Sequence, residues 1–247
     1  YVLDAIDILK KSDGNKNYKV YAIIAPSIVS QFKYAKIEQV VTGIHELGFH
    51  QVVEAALGAD ITLYHEANEW KEKGLMTTSC CPSFVKYIEK YFPDMVNLIS
   101  HSVSPMVETA KLIKKVDSTA KTVFIGPCVS KKGEYKLDKA KDWIDCVISF
   151  EELQAFLDAR DINVTVLGET ALDNASFYGR IFAKSGGIAQ GMADVAKAME
   201  PMYTTGNPDE RAGLGFAVMQ SFMDRVHVSS APGRGTRVTM SRHLDSR

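Results

Sequence analysis

The chain reads as an α/β fold with a mostly parallel sheet flanked by helices, followed by a small α+β carboxyl-terminal segment. Three observations predict it. Apolar, β-branched runs alternate with helix-spaced segments as far as about Arg160. Three of those segments end in polar or thiol residues, at Pro26-Ser27, Cys80-Cys81 and Pro127-Cys128. After Ser185-Gly186-Gly187 the composition turns Met-rich and then Gly-rich, which places a boundary near Gly191 between residues 1–191 and 192–247. Alternating strands and helices argue a parallel sheet, and such sheets gather ligand groups beyond the carboxyl ends of their strands.

Taken in order, Tyr18 to Ala25 is β-branched and aromatic and stops at Pro26, as a buried strand does. Ile37 to Leu47 has helical spacing and ends at Gly48. Gln51 to Leu57 reads as a second strand, and Asp60 to Lys73 as a helix closed by Gly74. Leu75 to Ser79 reads as a short strand running into the cysteine pair. Pro82 suits a first helical residue, with the helix continuing to about Tyr91. Ser104-Pro105 reads as a hydroxyl N-cap followed by Pro at the first position, with Glu108 in the first turn. Thr122 to Gly126 and Asp145 to Ser149 read as strands, and Ser149 with Glu152 has capping-box spacing before a helix to about Arg160. Near the end, Val218 to Met223 reads as helix, Arg225 to Ser229 as strand, and Val238 to Met240 as its hairpin partner.

Composition narrows the function classes. With 247 residues, 46% hydrophobic and 24% charged, the chain can bury a full core. A net charge of -1 gives no electrostatic footprint for nucleic acid or an anionic membrane surface. No apolar run is long enough to span a bilayer and the start does not resemble a signal peptide, so a cytoplasmic location is the expectation. Tyr1 in place of an initiator methionine suggests a start within a larger reading frame or after processing. In that setting the four cysteines read as cofactor or structural thiols rather than a disulfide framework.

Cys81 sits immediately before Pro82, where free helix N–H groups favour a thiolate. Cys128 follows a strand end, with Lys131 one turn on as a cation and hydrogen-bond donor. A single cysteine is more often a small buried hydrophobe than a ligand, and Cys146, inside an apolar run, reads as core. An adjacent thiol pair plus a Pro-Cys-x-x-Lys turn favours an iron–sulfur cofactor. Glu66 and Glu69, three apart, share a helix face and could pass a proton, although spacing alone favours two carboxylates that simply solvate the outside of an amphipathic helix.

The segments TSCCPSF (78–84) and GPCVSKKGE (126–134) resemble the first two signatures of the iron-only (FeFe) hydrogenase catalytic domain, and the likeness runs from about residue 18 to 190. It implies that Cys81 and Cys128 ligate a 4Fe-4S cubane, joined to a diiron subcluster. By the same likeness Cys80 is the proton-shuttling thiol, and Lys131 with Pro26 and Ser27 contacts diatomic ligands of the diiron unit. Glu134, Met106, Ser185, Gly186 and Gly187 fall in further cofactor-binding segments, and Glu66, Glu69 and Ser100 in the proton path. The parent reaction would be oxidation of H2 to protons and electrons, with a ferredoxin-like or other electron-transfer subunit as partner. The pattern departs in one major respect: the family's third signature, a Cys-x-x-x-Cys pair, has no counterpart after Cys146. Gly126 and Met106 also stand where the hydrogen-producing enzymes carry other residues, changes that tune a metal site.

From about residue 192 the chain resembles instead the end of a GHKL-type ATPase domain, in the form found in anti-sigma serine kinases. That likeness assigns Thr204 and Thr205 to an ATP lid, and Gly213 and Gly215 to a glycine turn under the phosphates. The half of that domain holding its catalytic asparagine and adenine-binding aspartate has no counterpart, so Mg-ATP chemistry is not expected. The alternative function is an ATP-binding regulator with a sigma-factor-type partner and a sensory or noncatalytic first domain; a scaffold without chemistry is a third. Two incomplete modules should each expose apolar surface, so the chain is expected to be poorly soluble or to pair with another subunit.

Overall fold

The structure is a computed structural model that describes residues 1–172, 179–180, 225–231 and 235–241. Strands β1 (Val20–Ile24), β2 (Gln51–Glu54), β3 (Lys121–Gly126) and β4 (Cys146–Ser149) form one parallel sheet in the order β2-β1-β3-β4. Register is continuous across its centre, with Ile24 opposite both Glu54 and Ile125. β3 and β4 are buried along nearly their whole length, as a sheet covered on both faces requires.

Helices α1 (Val2–Lys11), α2 (Ile28–Gln31) and α3 (Ile37–Glu46) lie in the chain before β2. The long α4 (Ala55–Lys73), α5 (Pro82–Tyr91), a 3-10 turn (Pro93–Leu98) and α6 (Pro105–Val116) carry the chain from β2 back across β1 to β3. The short α7 (Lys131–Glu134) precedes β4, and α8 (Phe150–Asp158) follows it. α3 packs on β2, α6 on β1, and α8 on β3 and β4, while α1 closes over β4 and α8. The core is accordingly aliphatic, with Ile23, Ile24, Ile44, Ile125, Ile148, Leu153 and Leu157 almost fully buried. Each of these side chains contributes on the order of 2 kcal/mol through removal from water.

The connection from β1 leads to β2 on one side, and the next connection crosses to β3 on the other. β1 and β3 therefore flank the point where strand order reverses, the place where open α/β sheets hold their ligands. Pro26-Ser27 and Gly126-Pro127-Cys128 leave the sheet there side by side, joined by a hydrogen bond from the Ala25 amide to the Ile125 carbonyl (2.9 Å).

Three expectations are corrected and one element is new. β2 stops at Glu54, and residues 55–57 begin α4: an unbroken apolar run fits strand or buried helix alike, and alanines favour the helix. Residues 75–79 are not a strand of the sheet; Thr77 instead bridges Ile99 through bonds to the Leu98 carbonyl and the Ser100 amide (2.7 and 2.8 Å). Ser104 occupies the N-cap of α6, yet its hydroxyl makes no cap bond. α1 had no counterpart among the expected elements. By contrast, the Ser149–Glu152 capping box forms, with bonds of 3.2 and 2.7 Å. Near the carboxyl end β5 (Arg225–Ala231) and β6 (Gly235–Ser241) make an antiparallel hairpin, longer at both strands than expected. The helix expected at Val218–Met223 and the boundary near Gly191 lie outside the described residues.

α4 and α6 touch so closely that a β-carbon on Gly58 would lie 2.2 Å from the Pro105 carbonyl oxygen and 2.5 Å from Thr109 Oγ1. That contact seats the start of α6 against α4, and it has no room to relax because the first obstacle is backbone. Gly58→Ala is expected to destabilise the chain by about 3 kcal/mol in urea or thermal unfolding, despite alanine's better helix propensity.

Candidate functional site

Lys131 joins the segments that carry the thiols. Its ammonium donates to the Cys80 carbonyl (2.9 Å) and pairs with Glu134 Oε2 (2.5 Å), with 12% of the lysine side chain and 1% of the glutamate exposed. α7 is one helical turn after the β3 exit, so the Lys131 amide bonds the Cys128 carbonyl (3.1 Å) while its side chain reaches across to Cys80. Cys81 is exposed at the N-cap of α5, Cys128 is half-buried with its sulfur against Ser130 Oγ (2.8 Å), and Cys80 is half-buried. Burial pushes the Cys80 thiol above its ordinary pKa, with the Thr78 hydroxyl opposing it in part. Pro26 and Ser27 follow β1 beside the β3 exit, where a side chain on Gly126 would meet Phe124 at 2.6 Å and Ala25 at 3.2 Å. Met106, on the first turn of α6, is fully buried.

The second cluster grows from α4. Glu66 is fully buried and accepts from the Ser79 amide (3.2 Å). Glu69 accepts from Ser100 Oγ (2.7 Å), Lys73 Nζ (2.6 Å) and the His101 ring (2.8 Å). Burial raises the Glu66 pKa to about 7, against the Ser79 amide bond, which lowers it. Burial also pushes Glu69 upward, but hydrogen bonds from Lys73, Ser100 and His101 outweigh it and bring that pKa down to about 2. Near neutrality Glu66 is therefore partly protonated beside an ionised Glu69, with the Ser100 hydroxyl at their junction. Glu69 and His101 open into a surface cavity of about 420 Å3 shared with His65, Glu72 and Lys111.

Glu66, Glu69 and Ser100 are thus brought together, as are Cys80, Lys131 and Glu134, and neither glutamate simply solvates a helix surface. Cys146 is core: it is 1% exposed, donates to the Tyr1 carbonyl (3.3 Å), and burial pushes its thiol up to about 11. Ser185, Gly186, Gly187, Thr204, Thr205, Gly213 and Gly215 lie outside the described residues. Sequence reasoning missed His101 and Lys73 as partners of Glu69; Lys73 stands four residues on at helical spacing, whereas His101 carries no local signal.

The donors present match part of an iron–sulfur site. One buried oxygen without a partner lies at it, Glu134 Oε1 on the carboxylate held by Lys131, as is left where a polar group is to be received. Cys81 and Cys128 can supply thiolates, and Lys131 a cation. A cubane takes four thiolates, however, and among the described residues no three His, Cys, Asp or Glu side chains converge to hold a metal. The described residues do not complete the ligand set.

Residues 18–223 match the family described as the iron-only hydrogenase large subunit, C-terminal domain, and the chain belongs to that family. Iron hydrogenase 1 of Clostridium pasteurianum is 31% identical over 182 residues, covering 64% of this chain and 32% of that protein. The fold resembles an FeFe-hydrogenase from Chlamydomonas reinhardtii with a TM-score of 0.67 at 24% identity, over 80% of this chain and 57% of that one. The chain thus spans about a third of the curated hydrogenase and little more than half of the solved one. It is also similar to anti-sigma F factors. That of Thermoanaerobacter sp. is 30% identical over 143 residues (53% of this chain, 87% of that protein). That of Caldanaerobacter subterraneus is 53% identical over 55 residues, covering 22% of this chain and 38% of that protein.

The Glu66 carboxyl titrates near 4.5 when unfolded and near 7 when folded, so between those values the native state holds a proton the unfolded chain has lost. Raising the pH through this window removes stability, on the order of 3 kcal/mol. Urea unfolding at about pH 5 and about pH 8 is expected to show this loss in the parent chain and its near disappearance in Glu66→Gln.

Proposed function

We propose that the chain is an iron–sulfur protein of the hydrogenase family whose parent reaction is the interconversion of H2 with two protons and two electrons, and that the described residues alone are incomplete for that reaction. The observation that carries this reading is the Lys131 ammonium bound to the Cys80 carbonyl at the reversal point of the sheet. It gathers the vicinal thiols, Cys128 and a buried cation at one mouth. In this reading Cys81 and Cys128 hold inorganic iron and sulfide, Lys131 donates to an anionic group, and Pro26, Ser27 and Met106 shape the pocket.

The proton route belongs to the chain's own residues. A proton on Cys80 Sγ has the Glu66 carboxyl as its buried neighbour, and Ser100 connects that region to Glu69. Carboxyls pushed apart in pKa suit a relay, since one carries the proton and the next is ready to receive it. Lys73 and His101 then stand at the outer end, beside the cavity. An electron-transfer subunit would be the redox partner. Among the described residues no helix is long and apolar enough to cross a membrane.

Anaerobic treatment with iron and sulfide is expected to load the full chain, and Cys128→Ser to lower the iron and acid-labile sulfide retained after desalting. Protein that stays free of iron while folded would end the proposal.

A second reading draws on the 53% identity to an anti-sigma F factor over 55 residues: a regulatory, nucleotide-binding role for the carboxyl-terminal part, including Thr204, Thr205, Gly213 and Gly215. An upward shift of the melting temperature with Mg-ATP, in the absence of iron, would favour it, because only ligands that bind the native state stabilise it.

A further inference from the structure

We propose that His101 is the port through which the Glu69–Ser100–Glu66 line exchanges protons with water. The inference rests on the proton route above and adds to it the residue that admits the proton. Lys73 and His101 both reach Glu69, and their chemistry separates them. A lysine ammonium has three donors and no lone pair, so Lys73 in its charged form cannot take a proton up from water. A neutral imidazole has one donor and one acceptor nitrogen, and histidine is the side chain that ordinarily changes charge between pH 5 and 8.

The hydrogen bonds fix which nitrogen does what. His101 Nδ1 lies 2.8 Å from Glu69 Oε1 and 3.3 Å from Lys73 Nζ. A carboxylate only accepts and an ammonium only donates, so the shorter contact, to the anion, keeps the ring proton on Nδ1. The His101 amide reaches the same carboxylate at 3.2 Å and seats the residue over it. Nε2 is then the basic nitrogen, and with 82% of the side chain exposed it meets water. Glu69 is only 13% exposed and gives its second oxygen to the hydroxyl of buried Ser100 (2.7 Å). The imidazole thus holds the outer oxygen of a carboxylate whose other oxygen meets the buried line.

A port is needed because of how Glu69 is held. Against its burial, the donors around it bring its pKa down to about 2, so near neutrality it keeps a proton only fleetingly. Glu66, raised to about 7 by burial, is partly protonated there. His101 takes the proton from water and passes one on: Nε2 gains a proton, Nδ1 releases one to Glu69 Oε1, and the ring is left neutral in its other tautomer. Rotation of the exposed ring restores the starting form. Among the described residues, His65, Glu69, Glu72 and Lys73 of α4 and Glu108 and Lys111 of α6 are the titratable groups at this face. Carboxylates outnumber ammonium groups among them, a balance that draws protons toward the cavity.

The test follows Glu66 in the full chain and needs no bound iron. From a pH above the Glu66 titration, a laser flash releases protons from a caged acid. The carboxyl stretch of Glu66, identified by its loss in Glu66→Gln, reports their arrival by infrared. His101→Phe is expected to slow that arrival about a hundredfold, with the final extent of protonation little changed, and imidazole in the buffer to restore the rate. His65→Phe, in the same cavity, should leave the rate as in the parent. In the unaltered chain the ring 15N shifts of His101 should report the Nδ1–H tautomer, a readout independent of any variant's folding. An unchanged rate in His101→Phe, a slowed rate that imidazole does not restore, or a neutral ring protonated on Nε2 would overturn the port and leave the line itself standing. An equal slowing in His65→Phe would overturn the assignment to His101. Arrival at Glu66 that is as fast in Glu69→Gln as in the parent would remove the proton route, and the port with it.

Discussion

The ammonium of Lys131 is the point on which the site is assembled. Without it, the turn after β3 and the segment before α5 have no polar tie, and they are 51 residues apart in sequence. The cation is largely withdrawn from water, which is tolerable because Glu134 neutralises it and the Cys80 carbonyl accepts one of its hydrogen bonds. Such a pair contributes little net stability against an apolar substitute, but removal of either member would strand the other. Its value is positional: it sets Cys80 and Cys128 at one mouth.

The carboxylate line obeys a related logic with the opposite outcome. Glu69 gathers enough donors to remain ionised in a partly buried setting, whereas Glu66, with one backbone amide, does not. Two identical side chains, one turn apart on α4, are thereby separated by about five pKa units through what each is allowed to touch. That separation depends on α4 and the Ser79–Ser104 stretch being packed together. The close passage of α4 against α6 at Gly58 holds that packing.

Much of the fold was legible in the chain itself because its strands are rich in β-branched residues and Pro or Gly closes β1 and β3. β1, β3, β4, α3, α5 and α8 fall within a few residues of where patterning places them. The failures share a cause. Residues 55–57, Ala-Ala-Leu, are all apolar and too few to carry a period that separates strand from helix. Residues 75–79 are extended but pair with a distant non-strand segment, a tertiary outcome that no local signal encodes. At the site, the thiols and Lys131 were visible as a motif, while the burial of Glu66 was not: its spacing from Glu69 is what a solvated helix face also shows. His101 meets Glu69 only because the chain returns past α4 at residues 98–104.

The central place of β1 has a consequence for how the polypeptide is made. One of its edges finds β2 soon after synthesis, but the other waits for Lys121–Gly126, about a hundred residues downstream. As the nascent polypeptide leaves the ribosome, Val20–Ile24 therefore spends several seconds with an apolar, unpaired edge on show. Assembly of the lobe is gated by the emergence of β3, so the mouth that Lys131 bridges is among the last parts of it to come into being.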